Sequence, residues 1–139
     1  MAKKVISDEL RAEVEAIIAQ YNEDTYKKAK KNVYYFAAFK GKFLYLNRQE
    51  YHLLNPICRL AYQPDTQSWD FAVYKWSKDA YDPNEFFFPG SGLANGTVLG
   101  AMKAGDEAYP PRFLSSIQLQ STSFFEKVKR LWKRFFFLS

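Results

Sequence analysis

The sequence predicts an α+β domain: an N-terminal helix packed on an antiparallel four- to five-stranded meander, a short helix after a Gly-rich turn, and a C-terminal amphipathic helix. Three observations lead there. Apolar residues recur at helical spacing between Leu10 and Tyr21. Runs rich in aromatic and β-branched residues, separated by turn residues, fill much of the stretch from Val33 to Trp76. From Ser123 onward, apolar and basic residues segregate onto opposite arcs of a helical projection.

The first helix starts at Ser7, a good N-cap, with Asp8 and Glu9 at the positive end of the dipole. Leu10, Val14, Ile17, Ile18 and Tyr21 form one stripe, while Arg11, Glu13 and Glu15 point away and Asn22 to Thr25 weakens the pattern. A basic run, Lys27, Lys28, Lys30 and Lys31, follows as a solvated helix end. Val33–Phe39 and Phe43–Leu46 are strands one and two, turned by Lys40-Gly41-Lys42. Gln49–Asn55 reads as a connection carrying His52, after which Pro56 opens the organising hairpin.

In that hairpin Ile57–Tyr62 and Trp69–Trp76 are strands three and four, joined by the polar turn 64–68. Alternation places Trp69, Phe71 and Val73 on the core face and Asp70, Ala72, Tyr74 and Trp76 on the other, with both tryptophans expected to bury surface. Glu85–Phe88 is a candidate fifth strand, ended by Pro89. A short helix, Val98–Ala104, closes at Gly105.

Composition bounds the rest. The chain has 139 residues, 47% hydrophobic and 25% charged, which suits one soluble domain. No run approaches the roughly 18 apolar residues of a spanning helix, and MAKKVISDEL lacks the apolar core of a signal peptide. A cytoplasmic location is expected, with peripheral membrane contact left open. Cys58 cannot form an internal disulfide, and one Cys with one His makes no zinc cluster, so neither a metal nor another cofactor is expected.

Charge is localised. Residues 1–111 balance, with 14 basic and 14 acidic side chains, whereas 112–139 hold six basic residues against Glu126 alone, the entire +5. Residues 1–111 are read as one domain, 112–122 as a linker rich in Ser and Gln, and 123–139 as a basic amphipathic helix. In that helix Phe124, Phe125, Val128, Leu131, Trp132, Phe135, Phe136 and Leu138 share an arc of about 160°. Lys127, Lys129, Arg130, Lys133 and Arg134 lie opposite.

Few residues invite chemistry. Gly90-Ser91-Gly92 and Gly96 lack the Lys-Ser/Thr and the βαβ frame of a phosphate loop and read as a turn. His52 and Cys58 form no nucleophile and base pair that the sequence compels. Arg59 in mid-strand needs a partner if covered; Asp70 on the next strand is the candidate, and with Phe87 they make a candidate ligand site. The candidate binding residues of the last helix are Phe125, Lys129, Arg130, Trp132, Lys133, Arg134 and Phe136.

The span from about Ser7 to Ala108 resembles a family of small bacterial proteins known only as the 3024-numbered domain of unknown function. The resemblance lies in an N-terminal helix, an aromatic strand pair, a Pro-led strand (Pro56, Leu60, Tyr62), a Trp-centred strand (Trp69, Tyr74, Trp76), an aromatic patch and a closing helix. The chain departs from it by lacking a second basic-aromatic segment before that helix and by extending from Ser115 on. The resemblance implies the fold and no site.

Two function classes follow. The first is a non-catalytic interaction module whose C-terminal helix packs on the body or docks on an anionic membrane surface or in a protein groove. The alternative is a small-ligand binder or enzyme using the concave face of the sheet. Nucleic-acid binding through the basic residues ranks third, because they alternate with a wide apolar arc.

Overall fold

A computed structural model describes residues 6–29 and 31–111. It is α+β: α1 (Asp8–Tyr26), a five-stranded antiparallel sheet and α2 (Val98–Ala108). The strands are β1 (Val33–Lys40), β2 (Phe43–Glu50), β3 (Leu53–Gln63), β4 (Ser68–Lys75) and β5 (Ala80–Asp82), paired in chain order as a meander. The expected C-terminal helix, 123–139, and its linker lie outside the described residues. No helix of the described residues is long and apolar enough to cross a membrane.

Ser7 caps α1 as expected, its hydroxyl accepting from the Leu10 N–H at 3.1 Å, a contact typically worth about 1 kcal/mol. The helix runs on to Tyr26, past the polar stretch that weakened the pattern, because Asn22 and Tyr26 both find partners below it. Asn22 brackets β1, accepting from the Tyr35 N–H at 2.8 Å and donating to the Tyr35 carbonyl at 2.9 Å. Arg11 does not point away: its guanidinium carbon lies 5.1 Å from the centroid of the Phe39 ring.

Several boundaries differ from expectation, each for a local reason. Residues 49–55 are not a loop; β2 continues to Glu50, and Tyr51-His52 turns directly into β3 at Leu53. The turn was hidden because Tyr51 holds φ 60°, a conformation that usually advertises itself with Gly, Asn or Asp. Pro56 therefore sits inside β3 rather than opening it. It is tolerated because the β2–β3 register skips Ile57 between Pro56 and Cys58, a bulge where proline's missing N–H costs no ladder bond.

The fifth strand is Ala80–Asp82, not Glu85–Phe88. There the Glu85 carboxylate accepts from its own Phe87 N–H at 3.1 Å and from Lys75 Nζ at 3.0 Å, a folded-back loop in place of a strand. In the same way α2 does not close at Gly105 but runs through it, since only a residue without Cβ fits against Ile57 and Tyr35.

Alternation sorts the sheet into two faces. Val33 and Tyr35 of β1, Leu44 and Leu46 of β2, Cys58 and Leu60 of β3 and Trp69 of β4 are buried with Val14 and Ile18 of α1 and Met102 of α2. Trp69, Phe71 and Val73 do face this core, while Trp76 remains half exposed and organises nothing inside. Both helices cover this inner face. On the other face Tyr34 is exposed, while Ala72 and Tyr74 of β4 are buried.

Candidate functional site

Two places concentrate polar or aromatic chemistry, one on each face. On the inner face β2 keeps its alternation Leu44, Leu46, Arg48, Glu50, so two charged side chains are carried into the core behind two leucines. Arg48 is almost completely buried, and its donors are met. Nε reaches Glu50 Oε2 at 2.9 Å, Nη1 reaches Asp106 Oδ1 at 2.9 Å and Nη2 reaches the Tyr109 carbonyl at 2.5 Å. Asn55 Nδ2 donates to the same Glu50 oxygen at 2.8 Å.

Asp106, delivered by α2, is the hub. Tyr21 and Tyr26 of α1 donate their hydroxyls to it, and the Tyr35 hydroxyl lies 3.1 Å from both its carboxylate and the Met102 carbonyl. The three rings pack against one another with centroids 5.8, 5.9 and 6.1 Å apart. Burial, reinforced by the neighbouring carboxylate, pushes all three phenols above their ordinary range, so each stays protonated and donating. Burial alone would lower Arg48, yet the carboxylates of Asp106 and Glu50 raise it, which keeps the guanidinium charged. An arrangement of satisfied donors, a paired carboxylate and protonated phenols offers neither a free base nor a nucleophile. What it does is tie α1, β1, β2 and α2 together.

The outer face is different. Strand alternation brings Tyr34 and Phe36 of β1, Phe43 and Tyr45 of β2, and Tyr74 and Tyr81 of β4 and β5 to this side, with Trp76 just past β4. The rings form a chain: Phe43 to Tyr45 at 6.1 Å, Tyr45 to Tyr81 at 5.4 Å, Tyr81 to Tyr74 at 5.2 Å and Tyr74 to Trp76 at 5.0 Å. Arg59 lies among them, its guanidinium carbon 4.5 Å from the Phe43 centroid and 5.7 Å from that of Tyr81. Among the described residues it makes no hydrogen bond or ion pair. Burial pushes the Tyr81 phenol up to about 12 despite that cation, while the Tyr74 phenol is raised chiefly by its hydrogen bond to Asp79.

The expected partnership of Arg59 and Asp70 is absent. Both stand on the outer face, but Arg59 is opposite Ala72 and Asp70 opposite Ala61, and Asp70 instead accepts from Gln63 Nε2 at 2.6 Å. The rings had the better geometry for the guanidinium. Phe87 belongs to neither face, standing 75% exposed in the loop after β5. His52 is exposed in the β2–β3 turn and Cys58 is buried in β3, its thiol pushed up by burial. Phe125, Lys129, Arg130, Trp132, Lys133, Arg134 and Phe136 lie outside the described residues.

The Gly-rich stretch is structural. Gly90 holds φ 87°, and a Cβ there would come 2.4 Å from Glu107 Cβ, so the turn lies flush on α2. Among the described residues no three His, Cys, Asp or Glu side chains gather as metal ligands. The inner network is not obvious from composition, although following the period of β2 two and four residues beyond Leu46 signals Arg48 and Glu50. Comparison with known proteins adds no relative: no family model matches the chain, and no similar protein is found among curated sequences or solved structures.

Proposed function

We propose that the protein is a non-catalytic interaction module whose basic amphipathic stretch, 123–139, docks on an anionic membrane surface. The observation that carries the non-catalytic part is the inner network around Arg48 and Asp106, where every charged group is matched internally. The docking part is supported by charge placement: residues 1–111 balance while 112–139 hold the +5 excess, and five of the six basic residues there stand opposite an arc of large apolar residues that includes Trp132. A neutral body does not oppose approach to an acidic surface.

The test is sedimentation of the full chain with phosphatidylserine-containing vesicles. Binding should weaken as salt screens the basic arc and should disappear when the chain ends at Gln120. Equal sedimentation of the shortened chain, or none of either, refutes membrane docking; a protein groove would then be the target. His52→Ala and Cys58→Ser should bind as the parent does. Loss of cellular function in either, with the fold intact, would return the reading to catalysis.

A further inference from the structure

We infer that, off the membrane, residues 123–139 lie across the outer face of the sheet, so that the apolar arc used for docking is held by the chain's own body. The inference rests on the proposed docking role of that stretch and adds where it goes when no docking surface is present.

The outer face calls for a cover. An antiparallel sheet with one solvated side ordinarily alternates apolar inside with polar outside. Here the outside positions of β1 and β2 include Tyr34, Phe36, Phe43 and Tyr45, and those beyond them Tyr74 and Trp76, with Tyr34 37% and Trp76 50% exposed. Tyr34 and Phe36, 6.1 Å apart, and the separate chain from Phe43 to Trp76, in which Tyr74 is buried, put partly exposed rings on one side of a small domain, and such a side marks a contact site.

The chain's own geometry supplies the occupant. The last described residues leave α2 beside β4: the Tyr109 hydroxyl donates to the Tyr74 carbonyl at 2.6 Å, and Pro111 is buried. Beyond β4 only the three-residue β5 separates this exit from the sheet edge. Residues 112–122, drawn out at roughly 3.3 Å each, reach about 36 Å, enough to round an edge of a sheet whose five strands, about 4.8 Å apart, span about 20 Å. Seventeen helical residues would be about 25 Å long, a match to that width.

The chemistry also fits. Arg59, laid on rings and without a carboxylate among the described residues, is a cation that an aromatic arc can cover, since a guanidinium is weakly hydrated and stacks on π faces. The arc of 123–139 presents Phe124, Phe125, Trp132, Phe135 and Phe136, and its five cations lie on the opposite side, away from Arg59.

The experiment uses the full chain with a nitroxide on Arg130→Cys, on the polar arc; Cys58, buried, is protected from the label. Amide signals of Tyr45, Asn47 and Arg59 should broaden while those of Val14 and Ile18 in α1 stay sharp. Phe36→Ser with Tyr45→Ser should abolish that broadening while the circular dichroism of the body persists, and phosphatidylserine vesicles should relieve it in the parent chain. Broadening of α1 instead, or of neither face, overturns the inference. So does broadening that survives the double substitution. Sedimentation read in parallel separates the two ideas: vesicle binding without broadening of the outer face sinks this inference and leaves the docking role, whereas broadening without vesicle binding does the reverse.

Discussion

Arg48 and Asp106 meet at 2.9 Å where their side chains are 2% and 12% exposed, joining β2 to α2. A buried pair of this kind is weak evidence of net stabilisation, but removing one partner strands the other. Asp106→Asn keeps the shape, removes the charge facing Arg48 and weakens the acceptor of the tyrosine hydroxyls. It should destabilise the fold by about 3 kcal/mol in urea titration, whereas Tyr26→Phe, which removes one donor, should cost about 1–2 kcal/mol. A loss below that of Tyr26→Phe would show that Glu50 alone suffices for Arg48.

The same hub predicts alkaline behaviour. Burial raises Tyr21, Tyr26 and Tyr35 above the unfolded value of 10.0. Groups raised in the folded state stabilise it below their unfolded pKa and lose that contribution as pH climbs beyond it. The phenols should therefore ionise only as the protein unfolds. Ultraviolet titration should show a late tyrosinate step coincident with loss of circular dichroism above about pH 10, and a three-tyrosine step that precedes unfolding would refute the hub.

Much of the fold was legible because it depends on period. The stripe from Leu10 to Tyr21 and the alternation Trp69, Phe71, Val73 each specify a buried face without reference to the rest of the chain. What escaped depends on partners far along the sequence. Tyr26 extends α1 because Asp106 lies beneath it, and Gly105 is helical because Ile57 and Tyr35 press on it. Arg59 was recognisable as a mid-strand cation, yet its partners, Phe43 and Tyr81, come from different strands that only the register assembles.

The two described tryptophans of β4 and its end should behave oppositely. Trp69 is buried, packs on Tyr62 at 4.8 Å and belongs to the main core, while Trp76 is half exposed. Trp69→Ala should cost about 3–5 kcal/mol, and Trp76→Ala less than about 1 kcal/mol. Comparable shifts in thermal midpoint would mean that the outer face is as tightly covered as the inner.

Gly105 supplies a test of helix against sheet. A Cβ there would lie 2.5 Å from both Ile57 Cγ2 and the Tyr35 hydroxyl oxygen. Alanine favours the helix by about 1 kcal/mol, but forcing α2 off β3 should cost about 1–3 kcal/mol and disturb the Tyr35 hydrogen bonds. Gly105→Ala should thus lower the midpoint. A raised one would show that propensity outweighs the contact.

At the other end of the sheet Lys75 is buried, with Nζ 3.0 Å from Glu85 and 3.6 Å from Asp82. Burial on its own would raise Asp82, but the Asn84 N–H and the ammonium groups of Lys75 and Lys78 outweigh it and hold the carboxyl below its ordinary value of 3.8. A carboxyl depressed in the folded state stabilises above its unfolded pKa and loses that contribution as pH falls through the lower, folded one. The loss should begin near pH 4 and complete only below it. Lys75→Met removes the buried one of two cations that each lie 3.6 Å from Asp82 and strands Glu85 with it, so neutral-pH stability should fall by about 3 kcal/mol while the acid limb becomes shallower. Urea midpoints of both proteins between about pH 7 and pH 3 decide it: the gap between them should narrow as pH drops, and curves that stay parallel would remove Lys75 as the cause of the Asp82 shift.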